Sequence, residues 1–261
     1  MPEQVEKTVL QQTRVPVAPT RSFDEAASAQ MERLVADFGR VYQRRTEALR
    51  EVTRAHHEAL LRLASAAEAR DDATGLHMLR IGFMAEALAL LLGEPLVFAQ
   101  MLRRAAPMHD VGKVGIAEGI LGKQELLSEA ERKEMEQHTS IGARILGRSQ
   151  IPLFELAAEI ARTHHERWDG CGYPQGLSGA DIPRSGRIVA VCDFFDNLTM
   201  DSVPGPACSD EEALRMLQEE AGRAFDPQIV ACFVRHAFRL IAVRDHINRL
   251  RPTFESLVES D

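Results

Sequence analysis

From Met31 onward, apolar positions recur in alternating steps of four and three: Met31, Val35, Phe38, Tyr42, Arg45, Leu49, Val52, His56, Ala59, Leu63 and Ala66, with Arg45 and His56 as polar interruptions. This is the spacing of a coiled-coil seam, and it predicts a long helix over 23–66, roughly 54 Å from Met31 to Ala66 at about 1.5 Å per residue. Polar seam residues weaken a coil but fix the register of two strands, so a homodimer is expected. The alternative is a long helix packed on its own domain. No Pro or Gly separates Leu49 from Ala73, so the helix is expected to lead directly into the next segment.

The stretch 67–250 reads as one domain of successive helices. Ser128-Glu129-Ala130-Glu131 is a capping box, in which the Ser and Glu side chains satisfy N–H groups at a helix start, and it opens a helix through about Leu146. Asp226-Pro227 is a second start signal, with Asp as the cap and Pro in the first helical position. No run alternates at period two and no internal repeat is found, so the fold class is all-α. Before this region, residues 1–22 carry Pro2, Pro16 and Pro19 among polar residues and read as a disordered tail. After Phe233 comes an amphipathic helix, and 251–261 form a charged tail.

Composition narrows the function. Hydrophobic residues make up 45% and charged residues 27% of 261, ordinary for a globular protein. A formal charge of −8 argues against coating a DNA or RNA polymer, while leaving room for a small anion held by a few local cations. The apolar run Ala85 to Leu92 is far short of the roughly 20 residues that cross a bilayer, and the first residues lack a signal-peptide pattern. A cytoplasmic protein without membrane contact is expected. Cys171, Cys192, Cys208 and Cys232 have no CxxC spacing and read as reduced thiols.

The candidate chemistry lies in histidines and carboxylates on apolar stripes. His77 continues the stripe of Ile81, Met84 and Leu88; His138 sits between Met135 and Ile141; His164 follows Ile160 by four, and Asp193 follows Val189 by four. Each would face inward. A single inward histidine is more often a hydrogen-bonded core residue. Burying His77, His109, Asp110, His138, His164, His165 and Asp193 together without compensation would cost several kcal/mol per group, roughly, and a metal centre removes that objection. Imidazole and carboxylate ligands suit Fe, Mn, Zn or Ni, and one Asp can bridge two ions.

Three segments carry a family resemblance. His109-Asp110-Val111-Gly112-Lys113-Val114-Gly115-Ile116 resembles the HD half of the HD-GYP family, a branch of the HD phosphohydrolases. His164-His165-Glu166-Arg167-Trp168-Asp169-Gly170-Cys171-Gly172-Tyr173-Pro174 resembles its GYP half, and Gly186 to Asp193 resembles the segment that brings the last ligand. The likeness runs from about Ala69 to Phe233. It implies an HD-type helical bundle with a two- or three-metal centre and hydrolysis of cyclic di-GMP to linear pGpG, with GMP as a further product. It also implies that His77, His109, Asp110, His138, His164, His165 and Asp193 are the metal ligands, with Asp110 as the bridge. Catalytic roles fall to Asp110 and Lys113, and substrate contacts to Lys113, Gly172, Tyr173, Pro174 and Arg187. Asp169 is the candidate for orienting a metal-bound histidine. The long first helix resembles the coil that joins such domains to a sensor, which implies a signalling partner.

The chain departs from the family pattern at two places that matter. Ala73 stands where the family often has a Glu tied to a third metal, so two divalent transition-metal ions are expected, Fe or Mn first and Zn or Ni next. Ser202 and Gly205 stand where the family usually has the Arg and Lys of a phosphate-gripping segment. Two alternatives therefore remain beside the cyclic di-GMP phosphodiesterase: a catalytically weak or silent regulatory module acting through protein contacts, and a hydrolase of another cyclic dinucleotide.

Overall fold

The computed structural model describes residues 21–68, 75–123, 125–200 and 207–258. The tail reading of 1–20, the departures at Ala73, Ser202 and Gly205, the direct passage from the first helix through 69–74, and the last three residues lie outside them. The chain divides into two compact units, Met1–Val52 and Thr53–Asp261. Among the described residues every regular element is helical, and none is long and apolar enough to cross a membrane.

The first helix, α1 (Arg21–Glu68), begins two residues earlier than its sequence pattern suggests. Over 25–52 its apolar positions are exposed, Phe38 at 66% and Tyr42 at 72%. Within the second unit α1 buries His57, Leu61 and Ala64, a stripe one residue around from the seam positions His56, Ala59, Leu63 and Ala66, which stay exposed. The seam is therefore left open on a single chain, and a neighbouring face serves the core.

The second unit is built around two helices that are apolar on nearly all sides. Of these, α2 (Leu76–Leu91) buries Met78, Leu79, Ile81, Met84, Ala85, Leu88 and Ala89. A helix hydrophobic all round belongs in the interior, and α2 packs on α3 (Leu96–Ala105), on α7 (Arg184–Thr199) and on α10 (Ala237–Leu250). Two short 3-10 segments, Ala106–Met108 and Val111–Gly115, follow α3 and flank His109 and Asp110. After α4 (Glu118–Leu121) comes α5 (Glu129–Leu146), opened by the expected capping box: Ser128 Oγ accepts from Glu131 N–H and the Glu131 carboxylate accepts from Ser128 N–H. It pairs with α6 (Pro152–Thr163).

The second inner helix, α7 (Arg184–Thr199), buries Ile188, Val189, Val191, Cys192 and Phe195 and packs on α2 and α6. The unit is completed by α8 (Asp210–Glu219), α9 (Pro227–Arg235), α10 (Ala237–Leu250) and α11 (Glu255–Val258). At α9 the Asp226 side chain accepts from Gln228 N–H, as its Asp-Pro signal implies. The four cysteines are free thiols.

Candidate metal centre

All seven inward-facing histidines and aspartates come together. His77 enters on α2, His109 and Asp110 from the turn between the 3-10 segments, His138 on α5, His164 and His165 at the end of α6, and Asp193 on α7. They form two groups, Asp110 with His138, His164 and His165, and His77 with His109 and Asp193; within each, the ligand atoms lie within 4.8 Å of one another. Asp110 joins the groups: its Oδ1 is 3.2 Å from His138 Nε2 and 3.4 Å from His164 Nε2, while its Oδ2 is 3.6 Å from His109 Nε2. Asp193 Oδ1 is 3.3 Å from His77 Nε2 and 3.6 Å from His109 Nε2.

Glycine makes the closest approach possible. A Cβ on Gly112 would stand 1.9 Å from the carbonyl oxygen of His138 and 2.5 Å from the nitrogen of Gly142. Only a residue without a side chain lets the segment after Asp110 lie against α5, which brings the Asp110 carboxylate to His138.

Hydrogen bonds to backbone carbonyls set the direction of three of the rings. Nδ1 of His109 faces the Ala106 carbonyl at 3.0 Å, Nδ1 of His138 the Met135 carbonyl at 2.7 Å, and Nδ1 of His164 the Ile160 and Ala161 carbonyls at 3.1 Å each. A carbonyl only accepts, so these Nδ1 atoms carry the proton and the Nε2 lone pairs point at the carboxylates. His138 Nε2 and His164 Nε2 then face each other at 3.5 Å. Two lone pairs at that distance repel unless a cation lies between them. Asp110 Oδ1, buried, makes no aligned hydrogen bond despite its near neighbours. Lone pairs converging on a buried carboxylate oxygen fit divalent metal ions.

The electrostatics agree with that fit. Burial opposes ionisation of Asp110, but Lys113 and His109, with His138 and His164 beside them, outweigh it and hold the carboxyl well below the usual range. Burial likewise opposes ionisation of Asp193, and His109 and His77 overcome it. Burial lowers His164 and, with His164 and His138 nearby, takes His165 well below its ordinary value. Ionised carboxylates beside neutral imidazoles are the state in which these groups donate to metals.

The residues expected around the substrate fare unequally. Lys113 Nζ lies 2.7 Å from Asp110 Oδ2 at the edge of the cluster. Tyr173 lies over His165, ring centroids 4.9 Å apart, and its N–H donates to the His165 carbonyl. Burial and then Asp110 raise its phenol pKa. Gly172 is required here: a Cβ would come within 2.3 Å of Arg167 N and 2.6 Å of His165 O. Pro174 follows a cis peptide bond and is exposed. Arg187 is engaged elsewhere, bonded to Asp226 Oδ2 at 2.7 Å and stacked 5.7 Å over Trp168.

One expectation is corrected. Asp169 orients no histidine; its carboxylate accepts from Arg167 Nε and Nη2 and from Cys171 N–H, inside its own turn. The carboxylate that orients a histidine is Asp196, fully buried on α7, whose Oδ2 is 2.7 Å from His77 Nδ1. Arg80 holds Asp196 in turn through Nε at 2.7 Å and Nη2 at 2.8 Å, and reaches Asn248 at 3.2 Å. Sequence reasoning passed over this residue, although Asp196 follows Asp193 by three on the same helix. It also missed the anchoring role of Glu166, whose buried carboxylate accepts from Gln175 and Leu177 N–H and closes the loop after His165.

Comparison with known proteins gives a consistent result. The family model described as HD domain matches residues 47–229. A 3′3′-cGAMP-specific phosphodiesterase of Vibrio cholerae is 42% identical over 75% of this chain and 37% of its own length. A cyclic di-GMP phosphodiesterase of Thermotoga maritima is 43% identical over 68% of this chain and 48% of its own. A cyclic di-GMP phosphodiesterase response regulator of Xanthomonas campestris is 39% identical over 74% and 51%. The chain thus spans about half the length, or less, of these relatives. In fold it is similar to a cyclic GMP-AMP specific phosphodiesterase of V. cholerae, with TM-score 0.54 at 19% identity over 76% of this chain and 54% of that one.

Proposed function

We propose that this chain, a member of the HD-domain family, is a phosphodiesterase of the HD-GYP branch that opens a cyclic dinucleotide, cyclic di-GMP first among them, to its linear form. The observation that carries this reading is the pair of donor groups joined through Asp110. One group per ion gives two ions, with Fe or Mn favoured by the mixed imidazole and carboxylate set and Zn or Ni next. Bound there, such ions supply an activated water at neutral pH and neutralise phosphodiester oxygens during in-line attack.

The chain's own residues supply the rest. Asp110 presents an oxygen to each group, which sets their spacing. Lys113 offers an ammonium to a non-bridging phosphate oxygen or the leaving alkoxide. The loop of Gly172, Tyr173 and Pro174 forms a wall beside His165 on which a base or sugar can rest. A hybrid substrate is the second reading, supported by the similarity to the 3′3′-cGAMP-specific relatives. The exposed seam of α1, with Phe38 and Tyr42 uncovered, supports a homodimer, and its position ahead of the hydrolase domain suits a signalling partner.

The test is to purify the chain anaerobically, count metals, and follow cyclic di-GMP, 3′3′-cGAMP and cyclic di-AMP by chromatography. Two metals per chain and turnover of the first or second are expected, both abolished in His109→Ala and Asp110→Ala. Turnover surviving in those variants would overturn the site assignment, and metal-loaded protein that turns over none would favour the regulatory module.

A further inference from the structure

Behind the metal centre, a cavity of about 630 Å³ opens between α5 and α6 under the loop that follows His165. Its polar lining includes Ser140, Arg144 and Arg148, Glu159 and Arg162, and Gln175. Each helical residue turns the chain by about 100°, so Ser140 and Arg144 lie roughly 160° and 120° around α5 from His138. Glu159 and Arg162 lie roughly 140° and 160° around α6 from its C-cap His164. The cavity therefore faces away from the donor groups and is a separate site.

Its charge is unusual for this protein. The chain carries 39 acidic against 31 basic residues, and other arginines nearby are matched: Arg80 with Asp196, Arg167 with Asp169, Arg184 with Glu94, Arg187 with Asp226. Arg144, Arg148 and Arg162 are exposed and have no ion-pair partner among the described residues. The single carboxylate in the lining, Glu159, is occupied by the hydroxyl of Ser185 at 2.6 Å. Arg144 and Arg162 stand in the last turns of their helices, where a cation complements the helix dipole. That accounts for neither Arg148, which lies beyond the end of α5, nor the hollow around which the three gather.

We propose that this cavity binds a phosphate-bearing small molecule of mononucleotide size. Planar guanidinium groups match phosphate oxygens in pairs, the Ser140 hydroxyl and Gln175 amide add neutral hydrogen bonds, and the volume is in the range that takes small ligands. The site is coupled to the metal centre by construction. Gln175 and Leu177 hang on Glu166, next in the chain to His165, and Tyr173 of the same loop lies over the His165 ring. A phosphate drawn against Gln175 therefore bears on the wall of the donor cluster. The inference stands on the cavity itself and does not depend on the substrate assigned above.

The experiment is a titration of the full chain with N-methylanthraniloyl-GDP, read by probe anisotropy and by the fluorescence of Trp168, the single tryptophan, which sits on that loop. Saturable binding is expected, weakened at least tenfold in Arg144→Glu/Arg148→Glu and weakened by added salt, with metal content and cyclic dinucleotide turnover unchanged. Asp110→Ala is expected to leave the probe binding saturably, with affinity within about tenfold of the parent, the order of coupling between linked sites. If the charge reversal misfolds, as seen by circular dichroism, Arg144→Gln/Arg148→Gln carries the same comparison. Affinity unmoved by either arginine variant, or lost in Asp110→Ala, would overturn the proposal by placing the probe elsewhere. No saturable binding of the probe, with binding of a hepta-glutamate peptide instead, would equally overturn it in favour of an acidic protein partner.

Discussion

Replacing Asp196 by Asn tests the support beneath the metal centre. The Asp196 carboxylate, fully buried, accepts three hydrogen bonds at 2.7–2.8 Å, one from His77 Nδ1 and two from Arg80. An Asn side chain of nearly the same shape has one acceptor oxygen, so it cannot serve both His77 and the fork of Arg80. It also leaves the Arg80 guanidinium, only 6% exposed, without its counter-charge. Breaking a buried ion pair from one side costs about 3–5 kcal/mol, and loosening the partner of a ligating histidine typically costs about 10- to 100-fold in metal affinity. Urea unfolding in the presence of a chelator isolates the first effect, and competition against a chelating dye on folded protein isolates the second. The double variant Arg80→Met/Asp196→Asn removes the orphaned charge; it should recover much of the stability and none of the metal affinity. An Asp196→Asn protein within about 1 kcal/mol of the parent that also holds metal as tightly would refute the reasoning.

Two further outcomes follow from the packing. Gly112→Ala places a methyl where the His138 carbonyl already stands, so the Asp110 segment must lift from α5; a loss of about 1–3 kcal/mol or more is expected, together with fewer than two metals per chain by elemental analysis. Full metal content in a folded Gly112→Ala protein would show that this approach is not required. His57 is buried against α3 and α6 with Nε2–H donating to the Arg104 carbonyl at 2.9 Å. Burial, opposed by that carbonyl and aided by the Arg104 charge, lowers its pKa from 6.5 to about 4. Above pH 6.5 both folded and unfolded states hold the ring neutral, so its stability contribution is intact; as the pH falls toward about 4 only the unfolded chain takes up the proton, and up to about 3 kcal/mol is lost. Denaturation midpoints between pH 7 and pH 4.5 should therefore fall more steeply for the parent than for His57→Gln, and parallel curves would contradict the shift.

Much of the site was legible because its residues break an apolar rhythm. His77, His138, His164 and Asp193 fall on stripes that otherwise read as core, and a helix stripe has one inward direction. The starts of α5 and α9 were legible for a similar reason, since capping is local chemistry written within four residues. What escaped was set by distance along the chain. Asp196 is 116 residues from Arg80, and nothing near either announces the pair. Asp169 looked like the carboxylate for a histidine because it is close in sequence, yet its own turn satisfies it first. Arg187 looked available for phosphate, but Asp226 and Trp168 approach it from across the fold. Along α1 the seam and the buried face differ by a single position, a shift of about 100° that periodicity alone does not resolve when both faces carry apolar residues.

The backbone carbonyls that hold His109, His138 and His164 have a consequence for how the protein is supplied. Because main chain rather than ion orients those rings, their Nε2 lone pairs face the same way whichever divalent cation arrives. Occupancy then follows whatever the surroundings deliver, so one polypeptide harvested from iron-rich and from manganese-rich cultures should differ in its cargo while remaining the same folded body.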